Sequence, residues 1–364
     1  MPLRDFKPDH YSSLLEAKTR LVREPFTQFT ALEPAIFPSE PSHYRMRAEF
    51  RIRHIDNVPH YVMFRKEDPR EAHIITRFDI ACEPIAAVMQ PLRELIAASD
   101  ELSRRLFQVD FLSGQCGEVL VTLIYHRPLG DAWQAEAETL MQQLPILLIG
   151  RSRKQKIVLE QDFVTESLHA DGKHFQFRHY ENSFTQPNAK VNEAMISWAC
   201  EQVSSASGDL LELYCGCGNF TIPLSRYFSR VLATEISKTS VRAAQENSAL
   251  NGVDNIDVVR LSAEEISAAL KGVRPFRRLA HLNLDAFDLK TVFVDPPRAG
   301  LDDFTRDMVC EFDQILYISC NPQTLLRDLN HLCQNHHIKS LAFFDQFPYT
   351  THMECGVFLQ RSTL

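Results

Sequence analysis

The alternation of predicted strands and helices after about residue 187 constrains the fold of this 364-residue chain more than any other feature. Short apolar segments at 210–214, 291–294 and 315–319 are separated by stretches with helical hydrophobic spacing. Repeated strand–helix units connect through right-handed crossovers and build a mainly parallel sheet with helices on both faces. The sequence therefore predicts a doubly wound α/β domain over residues 181–364.

The N-terminal half has a different pattern. Residues 44–53 alternate between apolar and polar side chains, with the arginines mostly on one face, as in a half-buried strand. Residues 1–180 are expected to form an α+β domain on an antiparallel sheet, and the sequence leaves open which domain the first helix packs against. The predicted elements are helices at 11–22, 85–98 and 132–143, a proline-rich connector at 33–41, and further strands at 60–64, 107–112, 118–125 and 145–149.

Charge and cysteine content limit the class of protein. The net charge of −8 argues against a surface coated with basic residues, but it permits a local basic groove for nucleic acid. Cys215 and Cys217 are only two residues apart, and the nine cysteines include no second pair at zinc-ligand spacing. This favours free thiols and no metal site. No apolar run is long enough to span a bilayer and no signal peptide begins the sequence, so we expect a cytoplasmic protein.

A glycine turn follows the predicted strand at 210–214. Gly216 and Gly218 let the backbone turn tightly and approach a ligand. Glu235 stands 17 residues after Gly218 at the end of the next predicted strand, where a carboxylate can accept hydrogen bonds from ribose hydroxyls. A dinucleotide needs a third glycine where Thr221 stands, so the pattern favours S-adenosylmethionine over a nicotinamide cofactor. The alternative, that both are ordinary loop glycines, stays open on this pattern alone.

Two further strand ends carry reactive side chains followed by proline. Asp295 and Cys320 each end a predicted strand, and in a doubly wound sheet both lie at the same edge as the glycine turn. Asn321 and Pro322 begin a helix directly after Cys320, so we expect the helix N-terminus to lower the pKa of the thiol. An inert core thiol is the alternative. Glu354 begins an apolar strand, and its local pattern alone favours a surface or edge-strand acid.

Taken together, these segments resemble the tRNA (uracil-5-)-methyltransferase family. The resemblance implies a Rossmann-like class I methyltransferase domain joined to an α+β RNA-binding domain, with S-adenosyl-L-methionine as methyl donor, S-adenosyl-L-homocysteine as product and no metal. Cys217 and Ala299 depart from the family's pattern, in which asparagine and serine are common. The motifs that carry the resemblance are NSFTQPN at 182–188, ELYCG at 212–216, DPPR at 295–298, SCNP at 319–322, HMECG at 352–356 and YRMRAEFR at 44–51.

The resemblance also implies roles for individual residues. Cys320 is the expected nucleophile and Glu354 the expected general base, while Arg298 and Phe184 are expected at the substrate. The residues expected to hold the cofactor are Gln186, Tyr214, Gly216, Asn219, Glu235 and Asp295.

Basic and aromatic residues of the N-terminal half are candidate contacts to RNA phosphates and bases. A solvated strand face is the alternative for the arginines. The candidates are Arg47, Arg51 and Phe107, followed by Arg45, Arg53, Tyr125 and the basic stretch 150–156.

The expected reaction needs a thiolate and a base in one crevice. Addition of the Cys320 thiolate to C6 of uracil makes C5 electron-rich enough to accept a methyl group, and Glu354 then removes the C5 proton. Relatives that methylate ribosomal RNA usually add an N-terminal β-barrel and a four-cysteine iron–sulfur site, whereas only Cys82 and Cys116 precede residue 200 here. The resemblance therefore favours tRNA, at uridine 54 of the T-loop in the T-arm, bound by a monomer. A uridine of another RNA, such as ribosomal RNA, is the alternative.

Two other functions share parts of this pattern. A methyltransferase that acts on exocyclic amines has the same fold and a similar Asp-Pro-Pro motif, but it needs no thiol, so Cys320 together with Glu354 argues against it. A nicotinamide-dependent oxidoreductase is disfavoured by Thr221 in place of the third glycine.

Overall fold

The structure is a computed structural model that describes residues 6–64 and 71–362. The chain divides into two compact units. The first comprises Glu40–Ser167 and Arg178–Ala189, and the second comprises Asp9–Ser39, Leu168–Phe177 and Lys190–Leu364. The first helix and the tip of a hairpin group with the residues of the C-terminal half.

The helices and strands agree with the predicted ones in most positions, with ends shifted by a few residues. None of the described helices is both long and apolar enough to cross a membrane. The helices are α1 Tyr11–Arg23, α2 Glu83–Ala98, α3 Asp100–Ser103, α4 Asp131–Met141, α5 Ala189–Gln202, α6 Thr221–Leu224, α7 Lys238–Leu250, α8 Ala263–Leu270, α9 Asp303–Val309 and α10 Pro322–Leu332. The strands are β1 Ala35–Phe37, β2 Arg47–Ile55, β3 Val58–Phe64, β4 Ala72–Ile74, β5 Leu106–Ser113, β6 Val119–Tyr125, β7 Leu147–Ser152, β8 Gln155–Val158, β9 Phe163–Ala170, β10 Lys173–Tyr180, β11 Asp209–Leu213, β12 Val231–Thr234, β13 Ile256–Val259, β14 Leu289–Val294, β15 Gln314–Ser319, β16 His336–Phe344 and β17 Glu354–Arg361.

The first unit is built on a seven-stranded sheet in the order β4-β3-β2-β5-β6-β7-β8. Its neighbouring strands are antiparallel except β6 and β7, which run parallel. Alternation along β2 buries Ala48 and Phe50 and exposes Arg51 and Arg53, so one face of the strand packs into the core. The α+β architecture expected for the N-terminal half is confirmed.

The second unit contains an eight-stranded sheet in the order β1-β16-β17-β15-β14-β11-β12-β13. Strands β11 to β15 run parallel, and β17 is antiparallel to both β15 and β16. Every residue of β11 is buried, as expected for a parallel strand covered on both faces. The predicted doubly wound sheet is confirmed. Because β11, β12, β14 and β15 are parallel, their carboxyl ends meet at one edge, where the candidate site lies.

The proline-rich segment at 33–41 is more than the connector that we expected. It contains β1, which pairs in parallel with β16 through Ala35↔Ala342 and Phe37↔Phe344. The rings of Phe37 and Phe344 stack with centroids 4.7 Å apart. A three-residue strand has too little periodicity to be recognised locally, and its partner lies about 300 residues further along the chain.

A β-hairpin was also missed between residues 150 and 180. Strands β9 and β10 form a two-stranded sheet whose turn contains Asp171 and Gly172, with positive φ values of 51° and 64°. Within the second unit, the Asp171 carboxylate accepts hydrogen bonds from the side chains of Tyr227 and Arg226, the latter at 2.7 Å. These contacts tie the hairpin tip to the segment after α6.

Candidate active site

The turn after β11 has the geometry of a ligand-binding loop. Tyr214, Gly216 and Gly218 all have positive φ, at 63°, 55° and 88°, which is uncommon for a tyrosine. A Cβ atom on Gly216 would meet nothing within 4 Å, whereas one on Gly218 would lie 3.2 Å from the Ile222 side chain. The turn is therefore packed against α6 at Gly218 and open at Gly216.

Glu235 follows β12 and is bound to this turn. One carboxylate oxygen accepts a hydrogen bond from the Gly216 N–H at 3.1 Å, and the other accepts one from the Ser237 N–H at 2.7 Å. Each oxygen keeps a lone pair free because a carboxylate oxygen can accept more than one hydrogen bond. The predicted ribose-binding acid thus lies directly beside the open part of the glycine turn.

Asn219, at the other end of the turn, is held by a buried residue of α5. Its side-chain amide exchanges two hydrogen bonds with Asn192, at 2.8 and 2.9 Å. Nearby, the Asn247 side chain donates to the Cys217 carbonyl at 3.0 Å, so the residue that departs from the family's pattern is buried and its backbone is fixed.

Asp295 follows β14 at the same edge of the sheet. Desolvation alone raises the pKa of its carboxyl to about 7, with no donor in the described part of the chain stabilising the anion. A partly buried acid without a donor of its own is available to a ligand.

Cys320 and Glu354 are brought together by an antiparallel strand pair. The register of β15 and β17 pairs Ser319 with Cys355, so its continuation sets Cys320 opposite Glu354. Opposite residues of antiparallel strands have Cβ atoms about 5 Å apart. Glu354 is 4% exposed because β17 is an interior strand of the sheet, so the surface interpretation of its local pattern is wrong.

The pKa of the Cys320 thiol contradicts our expectation. Burial raises it to about 11, the negative charges of Glu354 and Asp295 add to the rise, and Arg298 opposes it. We expected the helix N-terminus to lower the pKa of the thiol, but burial has the larger effect. The residue that caps α10 is Asn321, and Cys320 lies one residue outside the helix end. The pKa of Glu354 is also raised well above its ordinary value, by burial and then by Asp295. Burial at this site therefore favours the thiol over the thiolate.

A hydrogen-bond network that the sequence did not reveal holds the loop after Asp295. The Arg298 carbonyl accepts hydrogen bonds from the side chains of Asn321, at 3.1 Å, and Thr324, at 3.3 Å. Further along the loop, the Leu301 N–H donates to the buried Asp328 carboxylate at 3.0 Å. The start of α10 therefore fixes Arg298 beside the thiol. The available sequence signal for this network was Asp328, an aspartate on the apolar face of the helix predicted after Cys320.

Glu212 was also missed as a site residue, although it lies in the ELYCG motif. Its side chain is 1% exposed, and one carboxylate oxygen has no partner among the described residues. Burial, followed by the charge of Asp295, raises its pKa to about 8, while Thr221 opposes the rise. Burial at this position therefore favours the protonated form of the acid.

The residues predicted to contact RNA lie in the first unit, except Arg298. The Arg51 guanidinium carbon lies 4.1 Å from the centroid of the Phe107 ring, and the Phe107 and His126 rings stack with centroids 3.9 Å apart. Phe184 is 73% exposed and belongs to the same 182–188 segment as Gln186.

Other N-terminal candidates are already engaged within the unit. Arg47 donates to the carbonyls of Glu181 and Ser183, both at 3.0 Å. Tyr125 is wrong as a stacking platform, because it is fully buried and its hydroxyl donates to a backbone carbonyl at 2.9 Å. Arg151 of the basic stretch forms an ion pair with Glu181 at 2.5 Å, so that stretch is partly neutralised.

No group of three or more histidine, cysteine, aspartate or glutamate side chains in residues 6–64 and 71–362 is arranged to hold a metal ion.

Comparison with known proteins finds similar sequences along almost the whole chain. The family model described as tRNA (Uracil-5-)-methyltransferase matches residues 10–362. A tRNA/tmRNA (uracil-C(5))-methyltransferase of Aromatoleum aromaticum is 53% identical over 361 residues, covering 99% of this chain and 98% of the relative. The protein of the same name from Pseudomonas putida strain W619 is 50% identical over 356 residues, covering 98% and 99%.

A solved structure gives the same fold. The crystal structure of Pyrococcus abyssi tRNA (uracil-54, C5)-methyltransferase, in complex with S-adenosyl-L-homocysteine, superposes with a TM-score of 0.73 at 21% identity, covering 96% of this chain and 83% of that one. The Rossmann-like methyltransferase fold implied by the resemblance is thereby confirmed.

Proposed function

The chain belongs to the tRNA (uracil-5-)-methyltransferase family, and from that membership we propose that it methylates C5 of uridine 54 in the T-loop of tRNA through a covalent bond between Cys320 and C6. The observation that supports the mechanism is the register of β15 and β17: Ser319 pairs with Cys355, so the next residues along the two strands, Cys320 and Glu354, come opposite each other. The names of the relatives include tmRNA, so we propose tmRNA as a second substrate of the same site.

The residues at the strand ends fit S-adenosylmethionine. The open space over Gly216 admits a ligand next to the backbone, and Glu235 has free lone pairs for two ribose hydroxyls. Asp295 offers a carboxylate without a donor of its own. Gln186, Tyr214 and Asn219 complete the proposed cofactor set. Bound S-adenosylmethionine supplies an electrophilic methyl group.

Cys320 performs the first chemical step. Its thiol loses a proton to solvent, and the thiolate adds to C6 of uracil, moving the electron pair of the C5–C6 double bond onto C5 and its adjacent carbonyl. C5 is then a nucleophile towards the methyl group. Arg298, whose backbone is fixed by Asn321 and Thr324, lowers the pKa of the thiol and so favours the thiolate.

Glu354 performs the last step. After methylation its carboxylate removes the C5 proton, the C–H electron pair restores the C5–C6 double bond, and the Cys320 sulfur leaves as thiolate. Burial suits Glu354 to this step, because it raises the pKa of the carboxyl and makes the ionised form a stronger base than an exposed glutamate.

The first unit binds the RNA in this proposal. Phe107 stacks on His126 and lies beside the Arg51 guanidinium, so this cluster offers planar groups to an unstacked base, and exposed Phe184 adds another aromatic surface. Stacking offsets the cost of turning the target base out of the loop, which is a few kcal/mol. All proposed catalytic groups lie in the second unit of one chain, so we expect the protein to act as a monomer. We also expect it to act on tRNA in the cytoplasm.

Covalent capture of RNA tests the mechanism. We expect the protein to form a denaturation-resistant complex with tRNA containing 5-fluorouracil, since fluorine at C5 blocks the last step. Cys320→Ala should abolish both capture and methylation, while Cys116→Ala, which removes an exposed thiol, should retain them. Glu354→Gln should accumulate a methylated covalent complex with ordinary tRNA. Turnover by Cys320→Ala would exclude the covalent mechanism.

Mapping of the methyl group tests the substrate. Labelled S-adenosylmethionine should place label at uridine 54 of unmodified tRNA and in a T-arm hairpin. Label confined to ribosomal RNA would contradict the tRNA assignment and leave the chemistry standing.

A further inference from the structure

A buried ion pair joins the N-terminal helix to the segment that follows β16 and precedes Glu354. The Lys18 ammonium, on α1, donates to one oxygen of the Asp345 carboxylate at 2.5 Å, across 327 residues of sequence. The two side chains are only 11% and 2% exposed. Lys18 also donates to the Phe347 carbonyl at 3.1 Å. One side chain of α1 therefore holds the backbone and the side chains of the segment that follows β16.

Tyr11 occupies the second oxygen of the same carboxylate. Its hydroxyl donates to Asp345 at 2.9 Å and accepts a hydrogen bond from the Ser39 N–H at 2.7 Å. Its ring meets Tyr349 edge-on, with centroids 5.9 Å apart. The Asp345 N–H donates to the Phe37 carbonyl at 3.0 Å, beside the end of β1. Both carboxylate oxygens and the backbone of Asp345 are thus bound by residues 11–39.

These contacts bear directly on Glu354. Residues 345–353, which we call the base loop, connect β16 to β17, and Phe344 pairs with Glu354 across the two strands. The loop therefore leaves the sheet next to Glu354 and returns at Glu354. Whatever fixes the loop also fixes the strand position from which the carboxylate projects.

Stability alone does not account for the pair. Removing two charges from water is costly, and apolar residues of similar size often stabilise a protein as well as a buried ion pair does. An ion pair is directional, whereas apolar packing is not. Its oriented hydrogen bonds fix the positions of both partners. Lys18 adds such a bond to the Phe347 carbonyl, which an apolar side chain cannot make.

We propose that Lys18 and Asp345 are positioning residues that hold the base loop so that Glu354 reaches the C5 proton. The inference rests on the proposed function, in that Glu354 is the base. In the proposed mechanism, addition of Cys320 and methyl transfer precede the step that uses Glu354, whereas proton removal requires it. Loss of the pair therefore slows release of the product and leaves the earlier steps unchanged.

The test measures partial reactions of Lys18→Met in the full-length protein with unmodified tRNA and labelled S-adenosylmethionine. We expect single-turnover methyl transfer close to the wild-type rate. Multiple turnover should slow by roughly tenfold to a hundredfold, the effect expected when a reacting group moves by about 1 Å. A methylated covalent complex should accumulate on a denaturing gel. Arg20→Met is the matched control, because Arg20 lies on the same helix with its side chain 78% exposed, and it should release product normally.

A second variant separates positioning from folding. Lys18→Met leaves Asp345 buried without its partner, whereas Lys18→Met/Asp345→Leu removes both charges and should fold stably. We expect the double variant to accumulate the same complex. Normal release by a stably folded double variant would overturn the inference, and so would equal loss of methyl transfer and release in Lys18→Met. Glu354→Gln in the same gel separates the two proposals, because absence of a trapped complex there would refute the role of Glu354 as base.

Discussion

Replacement of Glu212 with glutamine should make the protein more stable at neutral pH. Glu212 is buried with one unpartnered carboxylate oxygen, and its pKa is raised from 4.5 to about 8. Below pH 4.5 the group is protonated in both the folded and the unfolded chain. As the pH rises, the unfolded chain ionises freely while the folded chain holds its proton, so folding stability is lost between pH 4.5 and about 8.

The size of the effect follows from the pKa difference. Each unit of pH in that interval costs about 1.4 kcal/mol, which amounts to about 3 kcal/mol by pH 7. Glutamine has the same shape and does not ionise, so the stability of Glu212→Gln relative to the wild type should increase steadily with pH. Urea unfolding of both proteins at pH 5, 6, 7 and 8 measures this difference, and comparison with wild type at each pH cancels the contributions of the other buried acids.

A difference in unfolding free energy that does not change with pH would refute the argument. It would mean that the folded protein holds Glu212 as a carboxylate with a partner. Glu246→Gln is a suitable control, because that glutamate lies on α7, 26% exposed, in an ion pair with Arg242 instead of buried without a partner for one of its oxygens.

Three further predictions concern binding and reactivity. Glu235→Ala should weaken binding of S-adenosylhomocysteine measured by calorimetry, since each charged hydrogen bond lost costs about 1.5–3 kcal/mol; unchanged affinity would remove Glu235 from the site. In the absence of RNA, iodoacetamide should alkylate Cys320 slowly at pH 7 and faster up to about pH 11, because the raised pKa keeps the thiol protonated. Peptide mass mapping measures the extent of alkylation. Arg298→Gln should slow this alkylation further, and an apparent pKa below 8 would contradict the role of burial. Phe107→Ala should weaken binding of a T-arm hairpin by about 1–3 kcal/mol in a filter-binding assay, with cofactor binding retained.

Local sequence patterns were sufficient to predict the architecture of both units. The strands of the second unit are short apolar runs, and the strand ends carry Gly216, Glu235, Asp295 and Cys320. Parallel strands bring their carboxyl ends to one edge, so these residues could be placed together without knowledge of the side-chain contacts. The same reasoning could not detect β1, since three residues provide no period and the partner strand lies near the other end of the chain.

The sequence by itself determined that the glycine turn, Glu235, Asp295 and Cys320 come to one edge of the sheet, because the hydrophobic period and the polar residues that interrupt it are encoded locally. The tertiary structure alone decided how those groups behave. The raised pKa of Cys320, the burial of Glu354 on an interior strand and the pairing of Lys18 with Asp345 all depend on which distant segments pack together. Desolvation and strand register both depend on neighbours that lie far apart in sequence. They cannot be read from a local pattern.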